Sequence, residues 1–184
     1  QINGGFGFDF TSDPSQIWSV GSQLAQYGVT SFLPTIISTS EEVYENAIHV
    51  LKKGPTQSWK GAVPIGWHFE GPFLNPDKKG AHNPKYLQLP NAASSKDWSR
   101  DQGVLMVTMA PELPGALELA TEFASRGIIL SIGHSMATSE EAYRAVEAGY
   151  SAATHLFNAM PMLDHRNPGL AASVLLDKRI VTGL

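Results

Sequence analysis

What most constrains this chain is a rhythm: short, nearly continuous apolar runs alternate with capped amphipathic stretches. Thr30 to Ile37, Ala62 to Glu70, Val104 to Ala110, Ile128 to Ile132, Ala152 to Leu156 and Ile180 to Leu184 have strand length. Their apolar content is that of a parallel sheet covered on both faces. Pro34 donates no ladder hydrogen bond, so it must fall near an end or a bulge of the first run. Helices fit between the runs. "SDPSQIWSVGSQLAQYG" offers Asp13 as N-cap, Pro14 at the first helical position and Gly28 as the stop. "TSEEVYENAIHVLKKG" opens with a Thr39/Glu42 capping box and ends at Gly54, and "TSEEAYRAVEAGY" opens with a Thr138/Glu141 box and ends near Gly149. "PGALELATEFASRG" stops at Gly127. The βαβα order with short linkers predicts a parallel α/β fold.

One segment breaks the rhythm. Between Gly71 and Gly103 the chain is rich in Pro, Asn, Lys and Ser, and a loop of that length inside a compact domain is usually functional or disordered. "GGFGF" at Gly4 to Phe8 lacks the order of a phosphate-cradling loop and reads as a tight turn. The chain opens on "QINGGFGFDF" without an initiator methionine and closes on the β-branched "RIVTGL", so both ends read as cuts through structure.

Composition narrows the function classes. With 184 residues, 42% hydrophobic and 16% charged, the chain suffices for one sizeable core. A net charge of −4 with scattered lysines and arginines favours neither nucleic acid nor a membrane surface as partner. There is no cysteine, so a metal site must use histidine and carboxylate. No run is long and apolar enough to span a membrane and no signal peptide is evident, which makes the cytoplasm the default location.

Three expected strand ends carry metal-ligand side chains: "HFEGP" with His68 and Glu70, "SIGHS" with His134, and "ATHLFNAMP" with His155 and Asn158. In a parallel β/α array the carboxyl ends of the strands share one face, so Glu70, His134 and His155 are expected to meet. Two imidazoles and a carboxylate form the ligand set of a catalytic divalent-metal site with an open position for water. The chemistry expected is metal-assisted hydrolysis. His68 shares a strand face with Glu70 and is expected to orient it or to ligate beside it. His82 in "KKGAHNP" and Arg166 in "DHRNPG" suit an anion such as phosphate, or are solvated loop residues. Lys78 and Lys79 read as surface charges, and His49 and His165 have no assigned role.

The stretches "QINGGFGFDF", "GVTSFLPTIIS", "HFEGPFLNPDKKGAHNP", "VTMAPE", "SIGHSMAT", "ATHLFNAM" and "HRNPGL" together resemble the N-acetylglucosamine-6-phosphate deacetylases of the amidohydrolase superfamily, in the same order and at compatible spacings. The resemblance implies a (β/α)8 TIM-type barrel of which only about strands 1–6 lie here. Residues 1–184 would form part of the barrel domain, without the terminal β-sandwich and the last strands. It implies hydrolysis of the acetamide of N-acetylglucosamine 6-phosphate, with Glu70, His134 and His155 as metal ligands. His82, Asn158, Ala159 and Arg166 would contact substrate, some of these contacts coming from a neighbouring subunit of a homodimer. Positions where related hydrolases bind a second metal hold Gln1 and Asn3, so one divalent ion, zinc, is expected. The general-base aspartate of the family would lie beyond Leu184, leaving no catalytic base in this chain. Another amidohydrolase acting on a cyclic or N-acyl amide, or a truncated binding protein without activity, are the alternatives.

Overall fold

The computed structural model describes all residues, 1–184. Six parallel strands form its main sheet: β1 (Thr35–Ile37), β2 (Trp67–Glu70), β3 (Val104–Met109), β4 (Ile129–Ile132), β5 (Tyr150–Ala153) and β6 (Val181–Thr182). Their order across the sheet is their order in the chain. Each strand therefore pairs with its sequence neighbours, and every connection is a crossover of the same kind. Before β1, Ile2 bridges to Pro34 in the same parallel sense.

Before β1 lies α1 (Ile17–Leu24), and four α-helices lie on the connections: α2 (Glu41–Lys53), α3 (Ala116–Ser125), α4 (Ser139–Glu147) and α5 (Gly169–Leu176); the long β2–β3 connection carries only one-turn 3-10 helices. The Asp13 carboxylate caps Ser15 N–H ahead of a one-turn 3-10 helix that begins at Pro14 and runs on into α1, and Gly28 stops the segment at φ +78°. The Thr138/Glu141 box at α4 is complete. At α2 the expected Thr39/Glu42 box does not form: Ser40 is the N-cap, and its side chain makes no capping bond. Residues 161–176 carried no strand or helix expectation, yet α5 forms there; its apolar residues run almost continuously and leave no helical stripe to read.

Two expected strands are broken. Residues 30–37 divide at Pro34 and residues 62–70 at Gly66. The outer pieces, Ser31–Phe32 and Val63–Pro64, pair with each other in a separate parallel ribbon. Pro34 has no N–H for the ladder. Gly66 sits at φ +147°, where a Cβ would stand 2.6 Å from that of Leu105. "GGFGF" is a hairpin, Gly4–Gly5 against Phe8–Asp9, turning through Phe6 and Gly7 at positive φ.

Strand β2 shows how the sheet assigns its faces. Trp67 and Phe69 point to the helices: the Trp67 indole donates to the carbonyl of Ala47 in α2, and the Phe69 ring lies 4.7 Å from that of Tyr44 and 4.8 Å from that of Trp98. His68 and Glu70 point the other way. On that inner face runs a buried polar chain. Thr35 Oγ1 meets His68 Nδ1 at 3.1 Å, His68 Nε2 meets Thr108 Oγ1 at 2.7 Å, and Thr108 continues through Thr154 to Ser131. The chain links the polar side chains of four of the six strands and satisfies groups that would otherwise be costly to bury.

Candidate metal centre

Glu70 ends β2, and Gly71 turns the chain away at φ +88°; a Cβ at Gly71 would collide with the hydroxyl of Ser38. His134 follows β4 by two residues and His155 follows β5 by two, both in the left-handed region, at φ +49° and +37°. Such conformations in non-glycine residues persist only where the surroundings hold them, and they cluster at functional sites.

The three side chains converge. Glu70 Oε1 lies 3.1 Å from His134 Nε2 and 3.1 Å from His155 Nε2, and the two imidazole nitrogens are 3.0 Å apart. His134 Nδ1 is 2.7 Å from the carbonyl oxygen of Lys78. A carbonyl only accepts, so Nδ1 carries a proton and Nε2 is the nitrogen turned to the site. Nε2 faces a carboxylate oxygen and a second imidazole nitrogen. Three potential ligand atoms this close together are held by a shared cation, a proton or a metal, and two nitrogens with one oxygen fit a divalent ion. Metal bonds of about 2.1 Å in a tetrahedral set would separate ligand atoms by about 3.4 Å, a few tenths of an ångström beyond the spacing found.

The electrostatics agree. Burial would push the Glu70 carboxyl up, but the hydrogen bonds from His134 and His155, with the charge of the neighbouring imidazoles, hold it far below the usual carboxylate range. Burial would push His155 down, but the Glu70 carboxylate raises it above its ordinary value. Without a metal, a proton on His155 supplies the missing positive charge.

The second oxygen of Glu70 is already taken. Gln1 Nε2 donates to Glu70 Oε2 at 2.9 Å, so only Oε1 faces the imidazoles. Gln1, Asn3, Asp9, Thr11, Glu70, His82, His134 and His155 border one open cavity of about 350 Å³.

No family model matches the chain. A curated N-acetylglucosamine-6-phosphate deacetylase of Danio rerio is 39% identical over 189 residues, covering 97% of this chain and 46% of that protein. The crystal structure of N-acetylglucosamine-6-phosphate deacetylase from Pasteurella multocida superposes with a TM-score of 0.90 at 34% identity, over 100% of this chain and 48% of that one. A variant of the Mycobacterium smegmatis enzyme, in complex with N-acetyl-D-glucosamine-6-phosphate, gives 0.86 at 29% identity, over 99% and 48%. This chain is homologous to the N-acetylglucosamine-6-phosphate deacetylases. It spans about half the length of the curated deacetylases it matches.

Of the other residues the deacetylase resemblance singled out, His82 joins the centre. It is 3% exposed, its ring stacks edge-on against His134 at 4.5 Å, and Nδ1 accepts from the N–H and hydroxyl of Ser38. The proton of the neutral ring is therefore on Nε2, which is left to donate. Burial first, and then the charge of His134, lower its pKa to about 4. Asn158 and Ala159 lie in the loop after β5, where Phe157 and Ala159 also have positive φ. Asn158 N–H is bound to the carbonyl of His155, and the Ala159 carbonyl accepts from Ser135; neither residue borders the cavity. Arg166 is exposed in the following loop and does not border the cavity.

Two expectations need correction. His68 makes no hydrogen bond to Glu70; both ring nitrogens are taken by Thr35 and Thr108, and the ring is 1% exposed. Burial lowers its pKa to about 4 although the Glu70 charge opposes this, so it is a neutral link of the inner-face chain. Lys78 is not a plain surface charge. It is half-buried, its carbonyl holds His134, and its ammonium donates to the carbonyl of Met160 at 2.9 Å. Ser38 and Glu112 were not singled out, yet each follows a strand end, β1 and β3, and the strand-end rule applied evenly would have reached both.

Proposed function

We propose that the protein carrying this chain hydrolyses the acetamide of N-acetylglucosamine 6-phosphate to glucosamine 6-phosphate and acetate, a step of amino-sugar breakdown. The observation that carries the reading is the convergence of three ligand atoms, Glu70 Oε1, His134 Nε2 and His155 Nε2, at one strand-end cavity. They would hold a single zinc ion, Gln1 occupying the Glu70 oxygen that a second ion would need. Zinc so held would lower the pKa of water and polarise an amide carbonyl.

The residues of this chain have separate tasks. His134 and His155 present nitrogen ligands from loops whose backbones are fixed, and Glu70 supplies the compensating anion. His82 offers Nε2–H to an acceptor atom of the substrate. Asn158, the Ala159 N–H and Arg166 would meet the sugar phosphate, Arg166 reaching the site of a neighbouring subunit in a homodimer. The sheet would form six strands of a (β/α)8 barrel in the cytoplasmic enzyme. On this reading the carboxylate that takes the water proton and returns it to the leaving amine lies beyond Leu184, and residues 1–184 alone do not turn over.

The test uses the full-length protein. Acetate release is measured with N-acetylglucosamine 6-phosphate and with unphosphorylated N-acetylglucosamine, before and after chelation. The reading requires phosphate-dependent, chelator-sensitive turnover that returns on adding zinc. Equal turnover of both sugars, or full activity after metal is removed, would refute it.

A further inference from the structure

We propose that Glu112, in the "VTMAPE" stretch after β3, is a positioning residue that holds His134 in its metal-binding conformation. The inference rests on the reading that Glu70, His134 and His155 bind a metal. His134 sits at φ +49°, a region a histidine keeps only when its neighbours fix the backbone on both sides. Glu112 is the hub of that fixation. Its Oε2 accepts from Ser135 Oγ at 2.7 Å, and its Oε1 accepts from Met136 N–H at 2.6 Å and from Asn75 Nδ2 at 2.9 Å. Ser135 and Met136 directly follow His134. Asn75 closes the circuit, because its backbone N–H donates to the carbonyl of His134 at 3.0 Å. One carboxylate thus ties the residues after the imidazole to the residue that grips it from the Glu70 loop.

The bonds suit an acceptor-only group at this point. Ser135 Oγ accepts from Ala137 N–H at 3.0 Å and donates its own proton to Glu112. Met136 N–H and the Asn75 amide can only donate in these contacts. Three donors converge on one acceptor-only group; glutamine, with one acceptor oxygen, would set its NH2 against at least one of them. Glu112 does not border the metal cavity and touches none of the three ligand atoms. Its influence reaches the metal only through the placement of His134, in the way that groups behind a ligand tune its affinity.

The experiment takes the full-length protein free of metal and titrates it with Co2+, reading the visible absorption of the bound ion. Metal-free thermal midpoints are measured in parallel. For Glu112→Gln we expect Co2+ affinity about 10- to 100-fold weaker with a changed spectrum. Ser135→Ala, which removes a single bond of the hub, should shift affinity the same way by less. Glu122→Gln, in α3 and paired with Arg126, should match the wild type. Should Glu112→Gln fail to fold, Ser135→Ala decides alone. Wild-type affinity and spectrum in the folded variants would overturn the proposal while leaving the metal reading intact. No Co2+ binding by the wild type would remove the metal reading and this inference with it.

Discussion

The Nδ1 proton of His134 is committed to the carbonyl of Lys78, 2.7 Å away, so it is Nε2 that the imidazole turns to Glu70 and His155. A residue of the loop after β2 thereby fixes the tautomer of a ligand that follows β4. Metal binding must compete with a proton at the remaining imidazole. His155 is raised above its ordinary pKa because the Glu70 carboxylate outweighs the effect of burial. At pH 6.5 and below, the metal-free centre therefore holds a proton that an incoming ion must expel. Zinc affinity should rise with pH from the acid side through 6.5, approaching a tenfold gain per unit at the acid end, and level only above the raised His155 value. Zinc titrations of the metal-free protein across that range check this, and a flat profile would show that His155 is not displaced.

Glu70→Gln keeps the shape of the side chain and removes its charge. The two imidazoles would then face a neutral amide, with nothing to balance a divalent ion at a position 3% exposed. Affinity should fall by more than about 100-fold, beyond the range seen for groups that act behind a ligand. Elemental analysis after dialysis, set beside acetate release, checks both consequences: metal and activity should disappear together, and a variant that turns over normally without metal would contradict the assigned role.

The fold was legible where one residue type carries the signal. Asp13, Pro14 and Gly28 bounded the first helical segment, and Thr138 with Glu141 marked α4, because caps act within a turn or two of chain. The ligand set was legible because strand ends of a parallel sheet share one face, so residues 85 positions apart could be expected to meet. Tertiary partners decided the rest. His68 looked like a support for Glu70 on strand spacing alone, but register pairs it with Thr35, and Thr108, two residues past its β3 partner Met106, takes its other ring nitrogen. Expected strand 152–156 ends at Ala153 because His155 turns into the left-handed region, a consequence of the site and not of local propensity. Lys78 acts through its backbone carbonyl, which side-chain reading cannot single out.

Acid should unfold the protein through its buried imidazoles. His68 and His82 are held neutral, each with a pKa of about 4, burial being the main cause in both. The unfolded chain takes these protons near pH 6.5, whereas the folded chain takes them only as the pH falls through about 4. Their contribution is thus complete above pH 6.5 and is lost on descending to about 4, at up to roughly 3 kcal/mol for each ring. Urea midpoints of the metal-free protein at several pH values in this window measure the slope. His68→Gln, which keeps a polar bridge between Thr35 and Thr108 without a titrating ring, should flatten it; an unchanged slope would place the acid sensitivity elsewhere.

Gly71 and Gly7 have nearly the same backbone angle, φ +88° and +87°, but different surroundings, which separates strain from crowding. At Gly7, in the hairpin turn, an added Cβ has nothing within 4 Å, so Gly7→Ala should cost only the conformational penalty of about 1–2 kcal/mol. At Gly71 the same methyl meets the hydroxyl of Ser38, and Ser38 holds His82 by both its N–H and its Oγ. Gly71→Ala should therefore cost about 2–4 kcal/mol and displace His82, whose Nε2–H is proposed to meet the substrate. In the full-length enzyme KM for N-acetylglucosamine 6-phosphate should rise by about tenfold, the loss of roughly 1.4 kcal/mol of binding, while Gly7→Ala leaves it unchanged. Steady-state kinetics on the two variants, with urea midpoints alongside, distinguish the cases: equal KM values would mean that His82 does not contact the substrate.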